Sequence, residues 1–359
     1  MANSEILHSK AVAVITGAGS GIGLAAALKY AKYGMSLYLA DIDEEAIKAA
    51  VQKVKGVEGV GEVFGSKTDV SKVQDVVELR DKVLEEFGEI HILMANAGIS
   101  RPTPAFSLNT PLNDLQDNWH SVLNTNFFGV LNVCQAFAPI MARQENASAV
   151  IVTGSKQGIT CPPGNAGYNV SKAGVKTFTE QLAHELRNVP DSRCSAHLFV
   201  PGWVHTGLTG AKNGGPKPAG AWTPEQTVDY MVEKVFELGD FYVICPDNEA
   251  SGVLDKARIQ WNLDDILQNR PALSRWHPNC KLDRLSTCRS FVHSNSADLA
   301  SDIRKLGNSL HNTTDQARFD DFIAAKQGLS AAARSRSRGR RAPGSQESGF
   351  PTEADISRF

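Results

Sequence analysis

The alternation of short apolar segments with longer amphipathic segments along residues 1–250 most constrains how this chain folds. Most of the short segments are apolar throughout, which is typical of strands buried on both faces of a parallel sheet. The amphipathic segments predict crossover helices, and right-handed crossovers place such helices on both faces. The sequence therefore predicts an α/β fold with a doubly wound parallel sheet. The predicted strands are 11–16, 35–40, 60–67, 90–95, 149–153, 196–200 and 241–245, and the predicted helices are 21–33, 44–54, 73–87, 115–142, 168–188 and 224–238.

The 359 residues are enough for one large α/β domain followed by an extension. Residues 251–267 predict one more helix, and the Pro-, Trp- and His-rich residues 270–280 are expected to wrap around the domain. Residues 301–326 predict a weakly amphipathic helix, whereas residues 330–359 have few large apolar side chains, which is typical of disorder. We therefore predict a domain over 1–250, a C-terminal wrap over 251–290 and a largely disordered extension over 291–359.

Charge and cysteine content exclude several classes of protein. The chain has 37 Lys and Arg against 39 Asp and Glu, so no overall field favours nucleic acid or an anionic membrane. The N-terminal residues form no apolar signal-peptide core, and no run of 18 apolar residues predicts a membrane span. The 6 cysteines are scattered without a C-x-x-C pair, which favours reduced thiols in a cytoplasmic protein.

A glycine-rich loop follows the first predicted strand and opens the first predicted helix: residues 16–23 are TGAGSGIG. Glycines allow a tight turn and the close approach of backbone to a ligand, and the helix N-terminus attracts a pyrophosphate. The strand before the loop and the helix after it make a dinucleotide site the favoured interpretation, against a tight turn without a ligand. The candidate contacts are Gly17, Ser20, Gly21, Ile22 and Gly23.

Asp41 ends the second predicted strand, where a carboxylate can accept hydrogen bonds from both ribose hydroxyls of NAD. The same carboxylate repels the 2′-phosphate of NADP, and neither Ser20 nor Ile42 supplies a compensating positive charge. We therefore expect NAD rather than NADP. The alternative is that Asp41 only helps to start the next helix, although Asp43 is better placed as its cap.

Tyr168 and Lys172 are spaced i and i+4 on one predicted helix, so their side chains leave the same face. A neighbouring ammonium favours the phenolate and is expected to lower the pKa of Tyr168 toward a value that suits acid–base chemistry. Ser155 follows the strand 149–153, and the Pro- and Gly-containing loop after it can bring Ser155 opposite the tyrosine. A Tyr-x-x-x-Lys pair alone is usually a helix surface, but here it occurs with the glycine loop and the serine.

With these motifs the chain resembles a short-chain dehydrogenase/reductase with a Rossmann-type core, from about Lys10 to Pro246. Three features depart from that family's usual pattern. Gly154 stands where the family often has a first serine, Lys156 follows the serine at 155, and Asp247-Asn248-Glu249 replaces a glycine-rich ending after the last strand. Further motifs that agree in order and spacing are Asp69-Val70, Asn96-Ala97-Gly98, the helix with Trp119, Asn126 and Gly129, and Pro201-Gly202 with Val204 and Thr206.

The resemblance implies an NAD(P)-dependent oxidoreductase that transfers a hydride between nicotinamide and a secondary alcohol or ketone. Tyr168 would act as acid or base, Ser155 would position the substrate oxygen, Lys172 would hold the ribose, and Asn126 would anchor a relay water. Asp69-Val70 would contact adenine, Asn96-Ala97-Gly98 would line the cofactor site, and Val204 and Thr206 would receive the nicotinamide amide. The family also implies a homo-oligomer, a dimer or tetramer, and requires no metal.

The substrate has only weak signals in the sequence. Residues 203–222 are rich in Gly and Pro, begin and end with Trp, and occupy the position of the family's mobile lid, although an ordinary surface loop is the alternative. The two tryptophans and Phe106 favour an apolar or aromatic substrate, of natural-product or lipid type.

Three other functions are weighed against this interpretation. A non-catalytic NAD(P)-sensing regulator on the same fold typically lacks the tyrosine or the lysine, and both are present. The Arg-rich residues 334–341 suggest RNA binding, but they lack interleaved aromatics and favour a solvated tail. His277, Cys280 and Cys288 match no common zinc spacing, so no metal site is predicted.

Overall fold

The computed structural model describes residues 4–210 and 216–277. Seven parallel strands form one sheet in the order β3-β2-β1-β4-β5-β6-β7, so the strand order reverses between β1 and β4. This confirms the predicted doubly wound sheet. The strands are β1 Val12–Thr16, β2 Ser36–Asp41, β3 Val63–Lys67, β4 Ile92–Ala95, β5 Ser148–Thr153, β6 Cys194–Val200 and β7 Tyr242–Ile244.

Helices cover both faces of the sheet because the central strands bury side chains on both sides. Every residue of β1, β4 and β5 is buried. Apolar side chains of α1, α2 and α8 form one core, and those of α3, α5 and α7 form the other. The helices are α1 Gly21–Ala31, α2 Glu44–Lys55, α3 Val73–Phe87, α4 Leu112–Leu123, α5 Gly129–Met141, α6 Gln157–Thr160, α7 Ala166–Arg187, α8 Pro224–Val232 and α9 Gly252–Leu267.

The structure corrects the prediction of one continuous helix over 115–142. A π-helical turn, Asn124–Phe128, separates α4 from α5. A second π turn, Glu233–Glu237, continues α8 where an α-helix to 238 was predicted. The short helix α6 was not predicted. π turns often mark functional sites, and the first of these two contains Asn126.

The helix caps follow the sequence in one case and not in another. Asp43 caps α2, because its Oδ1 accepts hydrogen bonds from the backbone N–H groups of Glu45 and Ala46. Ser71 precedes the amphipathic segment 73–87 and is a residue type that commonly caps helices, but it does not cap α3. Its hydroxyl donates to Asp69 at 2.7 Å, and Lys72 occupies the cap position.

After β7 the chain forms α9, and the described part of the segment after α9 extends to His277. The Trp261 indole donates to Ser274 Oγ at 2.7 Å, and Arg270 pairs with Asp265 at 2.9 Å. The part of the predicted wrap after residue 277, the helix at 301–326 and the extension over 291–359 lie outside the described residues. Within residues 4–210 and 216–277, no helix is long and apolar enough to cross a membrane.

Candidate functional site

The carboxyl ends of β1, β4 and β5 meet where the strand order reverses, which is where open α/β sheets bind ligands. A polar network fixes these ends. The backbone N–H of Asn96 donates to Thr16 Oγ1 at 3.0 Å. The Asn96 side-chain Nδ2 donates to the Thr16 backbone carbonyl at 3.1 Å. Thr153 Oγ1 in turn donates to Asn96 Oδ1 at 3.2 Å. Asn96 therefore acts as a structural bridge beside the predicted site.

The glycine loop has little room for side chains at its predicted contact positions. Gly17 and Gly21 have φ values of 65° and 54°, in the left-handed region that favours glycine. A Cβ on Gly17 would lie 2.8 Å from the Ala97 Cα, and a Cβ on Gly23 would lie 2.2 Å from the Gly17 carbonyl oxygen. This cradle at the N-terminus of α1 fits the pyrophosphate of a dinucleotide, with backbone N–H groups as donors.

Replacing Gly23 with alanine is expected to disrupt this cradle, because the added Cβ cannot be accommodated without moving the Gly17 backbone. We expect a loss of roughly 1–3 kcal/mol in the free energy of unfolding, typical of overpacking, together with weaker dinucleotide binding. Urea denaturation and nicotinamide fluorescence titration measure the two effects. Gly252→Ala is the matched control, since a Cβ on Gly252 meets nothing within 4 Å. Equal behaviour of the two variants would contradict the expectation.

Asp41 lies at the end of β2 as predicted, and its half-buried side chain has a structural role that the sequence did not reveal. Its Oδ2 accepts a hydrogen bond from the Gly19 N–H at 2.9 Å, and its Oδ1 accepts one from the Asp43 N–H at 3.1 Å. The carboxylate therefore supports both the glycine loop and the start of α2. Lys67 is its register partner on β3.

The remaining predicted cofactor contacts lie around the same sheet edge. Asp69 follows β3, and Val70 packs so closely on α5 that a Cβ on Gly129 would lie 2.6 Å from a Val70 methyl group. Thr206 lies beside the glycine loop, since a Cβ on Gly21 would lie 3.3 Å from its methyl group. The predicted residues that occupy this edge are Ser20, Ile22, Ala97, Gly98 and Val204 together with those named above.

The Ser155 hydroxyl lies close enough to the Tyr168 side chain to act on its pKa, so the loop after β5 brings the serine to the tyrosine. Burial raises the pKa of Tyr168 above its usual value, and the neighbouring Ser155 hydroxyl lowers it in part. Lys172 lies one turn further along α7, fully buried, and its ammonium donates to the Thr153 carbonyl at 2.7 Å. The net shift of the Tyr168 pKa is upward, and the lowering of this pKa by Lys172 stays a prediction.

The buried ammonium of Lys172 affects stability as well as chemistry. Burial lowers the pKa of Lys172 to about 8, from about 10.4 in an unfolded chain. A lowered folded-state pKa means that the native state loses stability as pH falls through this range and regains it as pH rises.

We therefore expect the unfolding free energy of wild type, relative to Lys172→Met, to rise by on the order of 3 kcal/mol between pH 7 and pH 10.5, at about 1.4 kcal/mol per pKa unit. Denaturant titrations of both proteins across this range measure the difference, and other titrations cancel between them. Parallel stability profiles would contradict the expectation.

Asn126 lies in the π turn, and its fully buried side chain makes two hydrogen bonds with the backbone of Ile99. Its Oδ1 accepts from the Ile99 N–H at 2.8 Å, and its Nδ2 donates to the Ile99 carbonyl at 2.9 Å. The amide therefore anchors the segment that follows Gly98 to α5. Both side-chain groups of Asn126 are bonded to Ile99, and the relay water at this residue stays a prediction.

Two residues that the sequence did not single out position the start of α7. Thr103, fully buried, accepts a hydrogen bond at Oγ1 from the Tyr168 N–H at 3.3 Å, and its carbonyl accepts one from Gly167 at 3.1 Å. Asn165 Oδ1 accepts from the Thr103 N–H at 3.2 Å. No local pattern marks Thr103, because its partners lie more than 60 residues away in sequence.

Backbone hydrogen bonds join the two ends of the predicted lid, residues 203–222. The Trp222 N–H donates to the Trp203 carbonyl at 2.8 Å, and the His205 N–H donates to the Trp222 carbonyl at 2.9 Å. The Trp222 indole also donates to Asn248 at 3.1 Å. Residues 211–215, within this loop, lie outside the described residues.

Of the three residues weighed as a zinc site, His277 lies among the described residues. His277 ends the described chain, and Cys280 and Cys288 lie outside it, as do the Arg-rich residues 334–341. In the described part of the chain no three His, Cys, Asp or Glu side chains cluster closely enough to hold a metal ion.

Comparisons with known proteins agree with this geometry. A family model described as short chain dehydrogenase matches residues 11–216, more than half of the chain. The chain belongs to the short-chain dehydrogenase family. It is 36% identical over 201 residues to the 3-oxoacyl-acyl-carrier-protein reductase FabG of Thermotoga maritima, a match that covers 55% of this chain and 76% of that relative.

Solved structures of this family superpose on the fold. A short chain dehydrogenase/reductase from Burkholderia phymatum in complex with NAD is 32% identical, with a TM-score of 0.63 over 72% of this chain and 95% of that chain. An alcohol dehydrogenase from the archaeon Thermococcus sibiricus, complexed with 5-hydroxy-NADP, is 30% identical, with a TM-score of 0.54 over 62% of this chain and 88% of that chain. This member of the short-chain dehydrogenase family is an NAD(P)-dependent oxidoreductase.

Proposed function

We propose that this short-chain dehydrogenase interconverts a secondary alcohol and a ketone, with NAD(H) as its cofactor. The arrangement that supports this most strongly is the Ser155 hydroxyl beside the Tyr168 side chain at the carboxyl edge of the sheet, with buried Lys172 one helical turn away. A hydroxyl donor and a titratable phenol at one point are what an alcohol oxygen or carbonyl oxygen needs. A regulator that only senses NAD(P) has no use for such a pair.

Each residue has one task in this proposal. Tyr168 Oη takes the proton of the alcohol in oxidation and returns it to the carbonyl oxygen in reduction. Ser155 Oγ donates to the same oxygen and holds it in reach of Tyr168. Lys172, held by the Thr153 carbonyl, supplies positive charge beside the site and a donor to the cofactor ribose. When bound, the dinucleotide accepts a hydride in oxidation and donates one in reduction.

The cofactor would be held along the sheet edge by the glycine loop, Asp41, Asp69-Val70, Asn96-Ala97-Gly98, Val204 and Thr206. We propose NAD as the preferred form because Asp41 lies where a ribose carboxylate partner is needed. The related structures named above were solved with NAD in one case and a modified NADP in the other, so the family accepts both forms.

We propose an apolar substrate of natural-product or lipid type. Trp203 and Trp222 lie at the base of the lid, and Phe106 is 75% exposed on the segment that follows Thr103. The Thermotoga relative reduces a 3-oxoacyl group, which is a ketone on a lipid precursor. These features favour a ketone with a long apolar substituent over a small sugar.

A screen of secondary alcohols with NAD and of ketones with NADH, followed by nicotinamide fluorescence, tests the proposed activity. The panel contains aromatic, steroidal, short aliphatic and sugar carbonyls, and a 3-oxoacyl thioester. We expect turnover with at least one apolar ketone and little with sugars. Dinucleotide binding without turnover on any member would favour the sensing regulator.

We also propose that the protein is a cytoplasmic homo-oligomer, a dimer or a tetramer. The side chains of Leu108 and Leu112 are 89% and 69% exposed beside Phe106, and such a patch is stabilised when another surface covers it. Light scattering on the full chain measures the mass, and a monomer across micromolar concentrations would contradict the proposal.

A further inference from the structure

The ammonium of Lys156 lies between two carboxylates and forms the most buried ionic cluster near the proposed site. Its Nζ is 2.6 Å from Asp255 Oδ2 and 3.2 Å from Asp247 Oδ2. The side chains of Lys156, Asp247 and Asp255 are 19%, 6% and 5% exposed. Because removing charges from water is costly, loss of one member of such a cluster leaves an uncompensated buried charge.

The three members belong to three different parts of the fold. Lys156 directly follows Ser155 and precedes α6, Asp247 follows β7, and Asp255 lies in the first turn of α9. The turn that contains Ser155 is tight, since the Gln157 N–H donates to Ser155 Oγ at 3.2 Å. Lys156 and the Ser155 hydroxyl therefore belong to the same short turn.

Asp247 connects the same cluster to the lid. Its Oδ2 accepts a hydrogen bond from the Trp203 N–H at 2.9 Å, and its Oδ1 accepts one from the Ala250 N–H at 2.7 Å. A Cβ on Gly202 would lie 2.6 Å from Asp247 Oδ2, so the carboxylate packs directly against the backbone there. One carboxylate thus holds both Lys156 and the root of the loop that contains Val204 and Thr206.

We propose that Lys156 is a positioning residue for the reaction. Through its contacts with Asp247 and Asp255, it fixes the positions of Ser155 and of the root of the lid relative to α9. This rests on the proposed function. Lys156 and the Asp247-Asn248-Glu249 ending are among the departures from the family pattern noted in the sequence, and Lys156 and Asp247 are partners in space although 91 residues apart. The pairing therefore belongs to this chain's own site, and it makes α9 a support of the reactive groups.

A cavity of about 160 Å³ beside the cluster explains why loss of one charge would displace Lys156. It is lined by Ile159, Ile244, Ile259 and Arg258 as well as by Lys156 and Asp255. Without the Asp255 charge, the ammonium can relocate into this space or toward Asp247. A displacement of about 1 Å at a reactive group can cost about a hundredfold in rate, so a smaller shift of Ser155 is measurable.

The test compares Asp255→Asn, Lys156→Met and Lys156→Arg with the matched control Asp265→Asn. Asp265 lies on the same helix and is 10% exposed in its ion pair with Arg270, but that pair does not touch the Ser155 turn. For each full-length variant we would measure kcat, KM, the pH dependence of kcat in the oxidising direction, and the melting temperature. Wild-type turnover is established first, so failure of the proposed function appears there and not in the comparison of variants.

We expect Asp255→Asn and Lys156→Met to lower kcat about tenfold and to shift the rise of kcat to higher pH, because Tyr168 loses the Ser155 contact that lowers its pKa. Lys156→Arg retains the charge and should restore most of kcat, and Asp265→Asn should leave kcat within about twofold. If Lys156→Met does not fold, Asp255→Asn, which retains the Lys156–Asp247 pair, decides. Wild-type kcat and pH profile in Asp255→Asn, or an equal loss in Asp265→Asn, would overturn the proposal.

Discussion

Replacing Tyr168 with phenylalanine is expected to lower kcat by about 10²–10⁴-fold while the affinity for NAD stays close to that of wild type. The substitution removes one oxygen, the titratable atom beside Ser155, and leaves the ring in place. The glycine loop and Asp41, which we propose bind the cofactor, are untouched. Steady-state kinetics and nicotinamide fluorescence titration separate the two effects.

A second tyrosine provides the control for this variant. Tyr242 lies on the edge strand β7, 50% exposed, and its hydroxyl donates to Glu180. Tyr242→Phe removes the same atom from a site without reactive groups, so its kcat should match that of wild type. A Tyr168→Phe enzyme with near-wild-type kcat would show that another group transfers the proton and that the assignment of Tyr168 is wrong.

Local sequence patterns were sufficient for the sheet and for the glycine loop. Strands such as β1 and β5 are buried on both faces, so every residue in them lies in an apolar environment. Such segments are therefore largely apolar and recognisable in the sequence. The cap of α2 is equally local, since Asp43 bonds to groups two and three residues ahead. The i, i+4 spacing of Tyr168 and Lys172 likewise needs only a helix, which α7 supplies.

The features that the sequence missed depend on contacts between distant segments. The π turn interrupts an apolar pattern that suits a continuous helix, and Asn126 in that turn is held by Ile99, 27 residues earlier. Thr103 has no motif, yet it holds the start of α7 across 65 residues. Such interactions are determined by the packing of finished elements, and a pattern within one segment has no information about them.

The acid–base properties of the site show the same limit. From spacing alone, Lys172 was expected to lower the pKa of Tyr168, because an ammonium favours a neighbouring phenolate. In the fold both groups are buried, and burial opposes the charged form of each. Whether the neighbouring ammonium or burial dominates the pKa of Tyr168 depends on how deeply the two groups lie in the core, which the sequence does not specify.

Asp41 is expected to give the enzyme a preference for NAD, measured as the ratio of kcat/KM for NAD to that for NADP. In NAD its carboxylate can accept hydrogen bonds from the ribose hydroxyls, and a charge-assisted bond contributes about 1.5–3 kcal/mol. In NADP the same carboxylate would face a phosphate. Lys67, the register partner of Asp41 on β3, is the neighbouring cation that could relieve this repulsion.

The substitution that tests this must keep the structural role of Asp41. Asp41→Ala removes the acceptor for the Gly19 N–H, so it disturbs the glycine loop for either cofactor. Asp41→Asn removes the charge and keeps one oxygen that can accept from Gly19, although its NH2 group then faces the Asp43 N–H. The ratio should fall about tenfold or more, with a smaller loss of melting temperature than in Asp41→Ala. Asp43→Asn, which retains an N-cap beside the site, is the control and should leave the ratio unchanged. If wild type prefers NADP, or if Asp41→Asn and Asp43→Asn give the same ratio as wild type, then Asp41 only supports the loop and the start of α2, and cofactor choice is determined elsewhere in the site.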